Sequence, residues 1–145
     1  MEITKTYPVS IDRLFEAIVT SLKEDYRQNT GEEPAEVDLV AGLTYQKRFG
    51  EKHQHSVQVT LLELTNPSLY SVRFSSNRGK ETMTYQLTPV DEGHTGIQYS
   101  YRVEAADFFT KANYFLMEKL MAKSLERQTE AQLDALVRYA TQEAG

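Results

Sequence analysis

From residue 54 onward the chain alternates between apolar and polar positions. Val57, Val59 and Leu61 fall on one side of an extended backbone, and Ser56, Gln58 and Thr60 on the other. Tyr70, Val72 and Phe74 oppose Ser71, Arg73 and Ser75 in the same way. Met83, Tyr85 and Leu87 oppose Thr82, Thr84 and Gln86, and Ile97, Tyr99, Tyr101 and Val103 oppose Gln98, Ser100 and Arg102. Side chains of a strand point to its two faces with period two, so each run predicts a strand with one apolar face. Four such strands in succession make a sheet that meets water on one side and must be covered on the other. The run Leu61-Leu62-Glu63-Leu64 breaks the alternation and predicts a bulge or bend late in its strand.

With residues 39 to 49 ahead of them, the strand-like runs cover 54 to 65, 69 to 76, 81 to 89 and 95 to 104. Gly50-Glu51-Lys52, Asn66-Pro67-Ser68, Asn77-Arg78-Gly79-Lys80 and Asp91-Glu92-Gly93 separate them. Connectors this short make hairpins, so the sheet is antiparallel and mostly a meander. Residues 2 to 8 predict one more short strand. Between it and the sheet, Ile11, Leu14, Phe15, Ile18 and Leu22 recur at helical spacing, with Ser10 placed as N-cap, Asp12 in the first turn and Gly31 as the stop. The acidic stretch 32 to 38, with Pro34, reads as a loop.

Residues 107 to 142 contain neither Gly nor Pro and predict the cover, a helix of about 50 Å. Strands of ten to twelve residues reach roughly 35–40 Å, so this helix must overhang the sheet or bend. Its second half is amphipathic, with Leu125, Leu133, Leu136 and Ala140 on one side. In its first half Phe108, Phe109, Tyr114, Phe115, Leu116, Met117, Leu120 and Met121 surround most of the circumference. Such a segment is expected to be buried on more than one side, by the sheet and the first helix together or by a second subunit.

Composition narrows the function classes. The 145 residues suit one domain, 1–145, with an ordinary core at 40% hydrophobic content. The absence of cysteine excludes thiol catalysis, iron–sulfur clusters and cysteine zinc sites. A net charge of −5 without a basic run argues against nucleic acid as a partner. The opening MEITKTYPVS lacks the apolar run of a signal peptide, and the longest apolar stretch, Tyr114 to Met117, is far short of a membrane span. A soluble cytoplasmic protein is expected.

The order strand, helix, five antiparallel strands, long helix resembles the helix-grip fold of the START and Bet v 1-like superfamily, an α+β class in which a curved antiparallel sheet of about six strands wraps a long C-terminal helix. The opening ITKTYPVSIDRLFEAI is similar to that superfamily's usual start. More closely, the chain resembles a family of small uncharacterised proteins from Firmicutes bacteria. The stretches that carry this are KTYPVSIDRLFEAI, NTG (29 to 31), GLTYQKRF (42 to 49), YSVRFSSNRGKETMTYQLTPVDEG (70 to 93) and TGIQYSYRVEA (95 to 105). The resemblance implies an apolar cavity between sheet and helix and a small hydrophobic ligand. It carries over no catalytic residue and no cofactor.

The residues expected to line that cavity are Tyr45, Val57, Val59, Tyr70, Val72, Phe74, Met83, Tyr85, Tyr99, Tyr101, Met117 and Met121. Inward tyrosines need partners for their hydroxyls and could orient a ligand carbonyl or hydroxyl; core packing with hydroxyls at the rim explains them equally. Methionines fill irregular gaps, and plain packing is the simpler account of Met83, Met117 and Met121. His53 and His55 would share a strand face as metal ligands might, but a solvated hairpin end explains them without a metal. The mixed charges Lys119, Lys123, Glu126, Arg127, Glu130, Asp134 and Arg138 read as a solvated helix face. Asn77-Arg78-Gly79-Lys80 is a turn and not a phosphate loop.

Three functions compete on this reading. The first is a carrier or binding module for a small hydrophobic molecule. The second is an interaction module, dimeric through the first half of the long helix. The third is a cyclase- or hydratase-like enzyme, for which Glu63 and Lys47 are the titratable inner-strand candidates. No catalytic residue, metal site or cofactor is assigned.

Overall fold

A computed structural model describes residues 1–49 and 55–142, with all of their side chains except Phe49, Phe108, Phe109, Thr110, Tyr114, Met117 and Glu118. The turn expected at 50 to 52, and His53, lie outside the described residues.

Strand β1 (Glu2–Tyr7) leads into helix α1 (Ile11–Thr30), followed by a 3-10 turn at Glu36–Asp38. Strands β2 (Thr44–Phe49), β3 (His55–Thr65), β4 (Leu69–Ser76), β5 (Gly79–Asp91) and β6 (His94–Ala105) precede helix α2 (Phe108–Gln142). The six strands form one antiparallel sheet in the order β1-β6-β5-β4-β3-β2. The meander thus runs from β2 to β6, and β1 closes on its far edge.

Helix α1 begins and ends where its caps dictate. The Ser10 hydroxyl accepts from the Arg13 amide at 3.4 Å. Gly31 takes a left-handed φ of 76°, and its amide donates to the Arg27 carbonyl. Leu14, Phe15, Ala17, Ile18 and Leu22 form its buried face. The irregular run at Leu61 is a bulge, because register shifts between Leu61, opposite Val72, and Glu63, opposite Ser71. The shift turns Glu63 outward, where it is exposed, so it is no inner-strand candidate. The strand expected from residue 39 begins at Thr44 instead. Gly42, with φ of 102°, turns the chain there, and Leu39 tucks into the core ahead of it.

The core lies between sheet and helices. Val59, Leu61, Val72 and Ile97 from the sheet meet Leu14 and Ile18 of α1 and Leu133 and Val137 of α2 in one buried cluster. Helix α2 packs against α1, β6 and β1 through its second half, where Thr129, Leu133, Val137 and Ala140 are buried. Burial fades along that row toward the N-terminal half. Leu125 is half-buried and Met121 is 39% exposed. Phe115, Leu116 and Leu120 are exposed as well. At its described side chains the first half of α2 is therefore not covered by the sheet and the first helix, one of the two covers expected for it. At 35 residues the helix is about 50 Å long, longer than the strands it covers. Among the described residues, no helix is long and apolar enough to cross a membrane.

Candidate functional site

Between the sheet and the two helices the fold leaves a cavity of about 470 Å³. Its floor is Val59, Tyr70, Val72, Phe74, Met83 and Tyr85, and β2 adds Tyr45 and Lys47 at one side. Ile18, Ser21, Leu22 and Asp25 of α1 and Gln132, Ala135, Leu136 and Tyr139 of α2 form the roof. Ser21, Gln132, Ala135 and Tyr139 are exposed, so the mouth lies between the two helices. A shallower groove outside it shares Ser21, Asp25 and Tyr139.

Of the residues expected to line a cavity, Tyr45, Val59, Tyr70, Val72, Phe74, Met83 and Tyr85 are at its wall. Val57, Tyr99, Tyr101 and Met121 are not. Val57 stands one rung further along β3, opposite Lys47, and packs against the core. Tyr99 and Tyr101 belong to β6, against which α2 packs and which β1 pairs at its edge. Met121, in the first half of α2, is 39% exposed. The side chain of Met117 lies outside the described residues.

Two tyrosines of the floor, Tyr70 and Tyr85, form a ladder with Tyr99 beyond it. Tyr70 and Tyr85 are direct cross-strand partners, with stacked rings 5.7 Å apart, and the Tyr99 ring follows Tyr85 at 5.3 Å. Burial is the main cause that raises the Tyr85 phenol to about 12, with a contribution from Tyr99. Burial, and then the neighbouring Tyr85, push Tyr70 further up. Among the described residues neither hydroxyl has a hydrogen-bond partner, yet neither is sealed from open space; the one sealed, unpartnered polar atom there is Nε of Arg73. The cavity is that open space.

At the side wall the chemistry differs. The Tyr45 hydroxyl donates to Oδ2 of Asp25 at 2.6 Å, and Nζ of Lys47 reaches Oδ1 at 2.8 Å. The Tyr26 ring meets the Tyr45 ring edge-on at 5.2 Å. Burial chiefly, and then the bond to Asp25, hold the Tyr45 phenol well above its ordinary value. The amide of Arg48 donates to the Asn29 side chain at 3.1 Å. Together these contacts tie the end of α1 to the edge strand. Asp25 escaped the sequence reading, although it continues the inward row Leu14, Ile18, Leu22 at a spacing of three. Asp134, on the helix face expected to be solvated, is 46% exposed and also accepts from the Tyr7 hydroxyl at 2.8 Å.

Among the described residues no three His, Cys, Asp or Glu side chains are grouped to hold a metal, and His55 is exposed.

Comparison with solved structures identifies the architecture. Norcoclaurine synthase from Thalictrum flavum, in complex with a transition-state analogue, superposes with a TM-score of 0.68 at 14% identity, over 100% of this chain and 95% of that one. A protein of unknown function from Staphylococcus aureus, SA2116, gives 0.67 at 15% identity, over 99% and 94%. Ara h 8.0201 gives 0.62 at 14% identity, over 98% and 97%. At these identities the likeness shows the fold, which is Bet v 1-like. No curated protein matches the chain. A family model does match, over residues 1–122, and the chain accordingly belongs to the DUF3284 family, a domain of unknown function.

Proposed function

We propose that the protein binds a small hydrophobic ligand in the cavity between its sheet and its helices. The observation that carries this is the cavity itself, about 470 Å³ in volume, with Val59, Val72, Phe74, Met83, Leu22 and Leu136 among its apolar wall. Ligand sites for small molecules are concave, largely apolar, on the order of 300–1,000 Å³, and carry few polar groups. Tyr45, Tyr70, Tyr85 and the Asp25–Lys47 pair supply those groups at the floor and side wall here, with Ser21, Gln132 and Tyr139 at the exposed mouth. The Bet v 1-like fold often binds hydrophobic ligands, and norcoclaurine synthase, which shares it, holds a transition-state analogue. Catalysis has less support: Glu63 is exposed, and Lys47, though at the wall, is held by Asp25.

Native mass spectrometry of the purified protein, compared with its denatured mass, tests the reading. A small mass lost on denaturation, and diminished in Ala135→Trp, is the expected result. Ala135 is exposed at the mouth, so its replacement narrows the entrance without emptying the core. A bound mass that Ala135→Trp retains in full would locate the ligand elsewhere.

A second reading draws on Phe115, Leu116 and Leu120, exposed on the first half of α2. Contiguous exposed apolar residues mark interaction surfaces. A dimer in light scattering that Leu120→Asp converts to a monomer would favour that reading; a wild-type monomer would remove it.

A further inference from the structure

The cavity's polar groups differ in one respect. Tyr45, Asp25 and Lys47 satisfy one another, whereas the hydroxyls of Tyr70 and Tyr85 have no hydrogen-bond partner among the described residues. Tyr70 is only 9% exposed, so whatever its hydroxyl touches must enter the cavity. The two residues face each other across β4 and β5, and their rings stack at 5.7 Å with planes 25° apart. Both therefore stand off the same face of the sheet, side by side. Resting on the ligand-binding reading above, we propose that Tyr70 and Tyr85 act together as a pair of donors to one oxygen, and that the ligand is an uncharged carbonyl compound with an apolar body.

Each half of this follows from the chemistry of the wall. A carbonyl oxygen carries two lone pairs and accepts from two donors at once. Burial raises both phenols, so each keeps its proton at neutral pH and donates. An apolar ligand that displaces water from these hydroxyls leaves them as costly unpartnered donors, and a ligand that also supplies one acceptor for the two avoids that cost. The ligand's lack of charge follows from the ionic groups. Asp25 and Lys47 are the ionisable acid and base at the described wall, and they pair at 2.8 Å. They leave no net charge to balance a carboxylate or an ammonium, and an uncompensated charge is expensive to bury.

Four probes of one skeleton test this by calorimetric titration: 2-acetylnaphthalene, 2-ethylnaphthalene, 2-naphthoate and 2-naphthylmethylammonium. The ketone is expected to bind about tenfold more tightly than the hydrocarbon, which lacks the carbonyl oxygen, and more tightly than either ion. Tyr70→Phe and Tyr85→Phe should each shrink that preference while 2-ethylnaphthalene binding stays within about twofold. A merely structural role for the tyrosines would alter both probes alike, and that result would overturn the proposal. Equal binding of ketone and hydrocarbon would overturn it while leaving the cavity as a binding site. Tighter binding of 2-naphthoate would overturn the uncharged class. If none of the four binds, the ligand-binding reading falls and this inference with it.

Discussion

Replacing Asp25 by alanine should loosen the joint between α1 and the edge of the sheet, and its cost can be worked from the geometry. The Tyr45 hydroxyl donates to the carboxylate at 2.6 Å, and Tyr45 is 7% exposed. A hydrogen bond to a charged group contributes about 1.5–3 kcal/mol, and most of this is lost when a buried hydroxyl keeps no acceptor. The Asp25–Lys47 pair adds little, since the two side chains are 27% and 38% exposed and such pairs contribute roughly 0.2–1 kcal/mol. Asp25→Ala should therefore cost about 2–4 kcal/mol in urea unfolding, with an unchanged m-value. Tyr45→Phe removes the other half of the bond. In the double variant the two losses should fall short of their sum by about 1.5 kcal/mol or more. Additivity within about 0.5 kcal/mol would mean that the bond does not hold the joint, and the reasoning would be refuted.

The uneven hold on α2 predicts a contrast. Leu133, 1% exposed, should cost about 2–5 kcal/mol on exchange for alanine, whereas Leu120, 81% exposed, should change stability by no more than about 0.5 kcal/mol, both read from urea midpoints. The buried phenols predict an alkaline limit. Their folded values lie above 10, so the unfolded chain ionises first and stability, complete below pH 10, falls as pH rises toward 12 and beyond. Urea midpoints between pH 9 and 11.5 should decline more steeply for the wild type than for a Tyr70→Phe, Tyr85→Phe double variant; parallel declines would argue against ionisation of these two groups as the cause.

The sheet was legible because each strand shows water one face and the core the other, which imprints period two on Val57 to Leu61 and on Ile97 to Val103. The bulge was legible for the same reason, since Leu61-Leu62-Glu63-Leu64 cannot keep that period. The sense of the bulge was not, and Glu63 was placed on the wrong face. The floor of the cavity followed from the alternation, but alternation is blind to which columns the helix covers. Tyr70 and Tyr99 carry the same pattern, yet the second half of α2 lies over β6 and leaves β4 and β5 open. The roof was harder to read. Asp25, Gln132 and Tyr139 are polar or amphipathic residues on helices, where solvent is the usual neighbour, and only the meeting of α1 with α2 brings them to the cavity. Apolarity all round the first half of α2 predicted a cover from the sheet and α1 or from a second subunit, and the period of a helix cannot say which; within the chain Phe115, Leu116 and Leu120 stay exposed.

The most direct test of the ligand-binding account is fluorescence titration with N-phenyl-1-naphthylamine, an uncharged apolar probe, on the wild type and on Ala135→Trp. The account predicts saturable binding of one probe per chain, weakened at least about tenfold when tryptophan narrows the mouth. A folded wild-type protein that shows no saturable enhancement, or an Ala135→Trp variant that binds as well as the wild type, would contradict it.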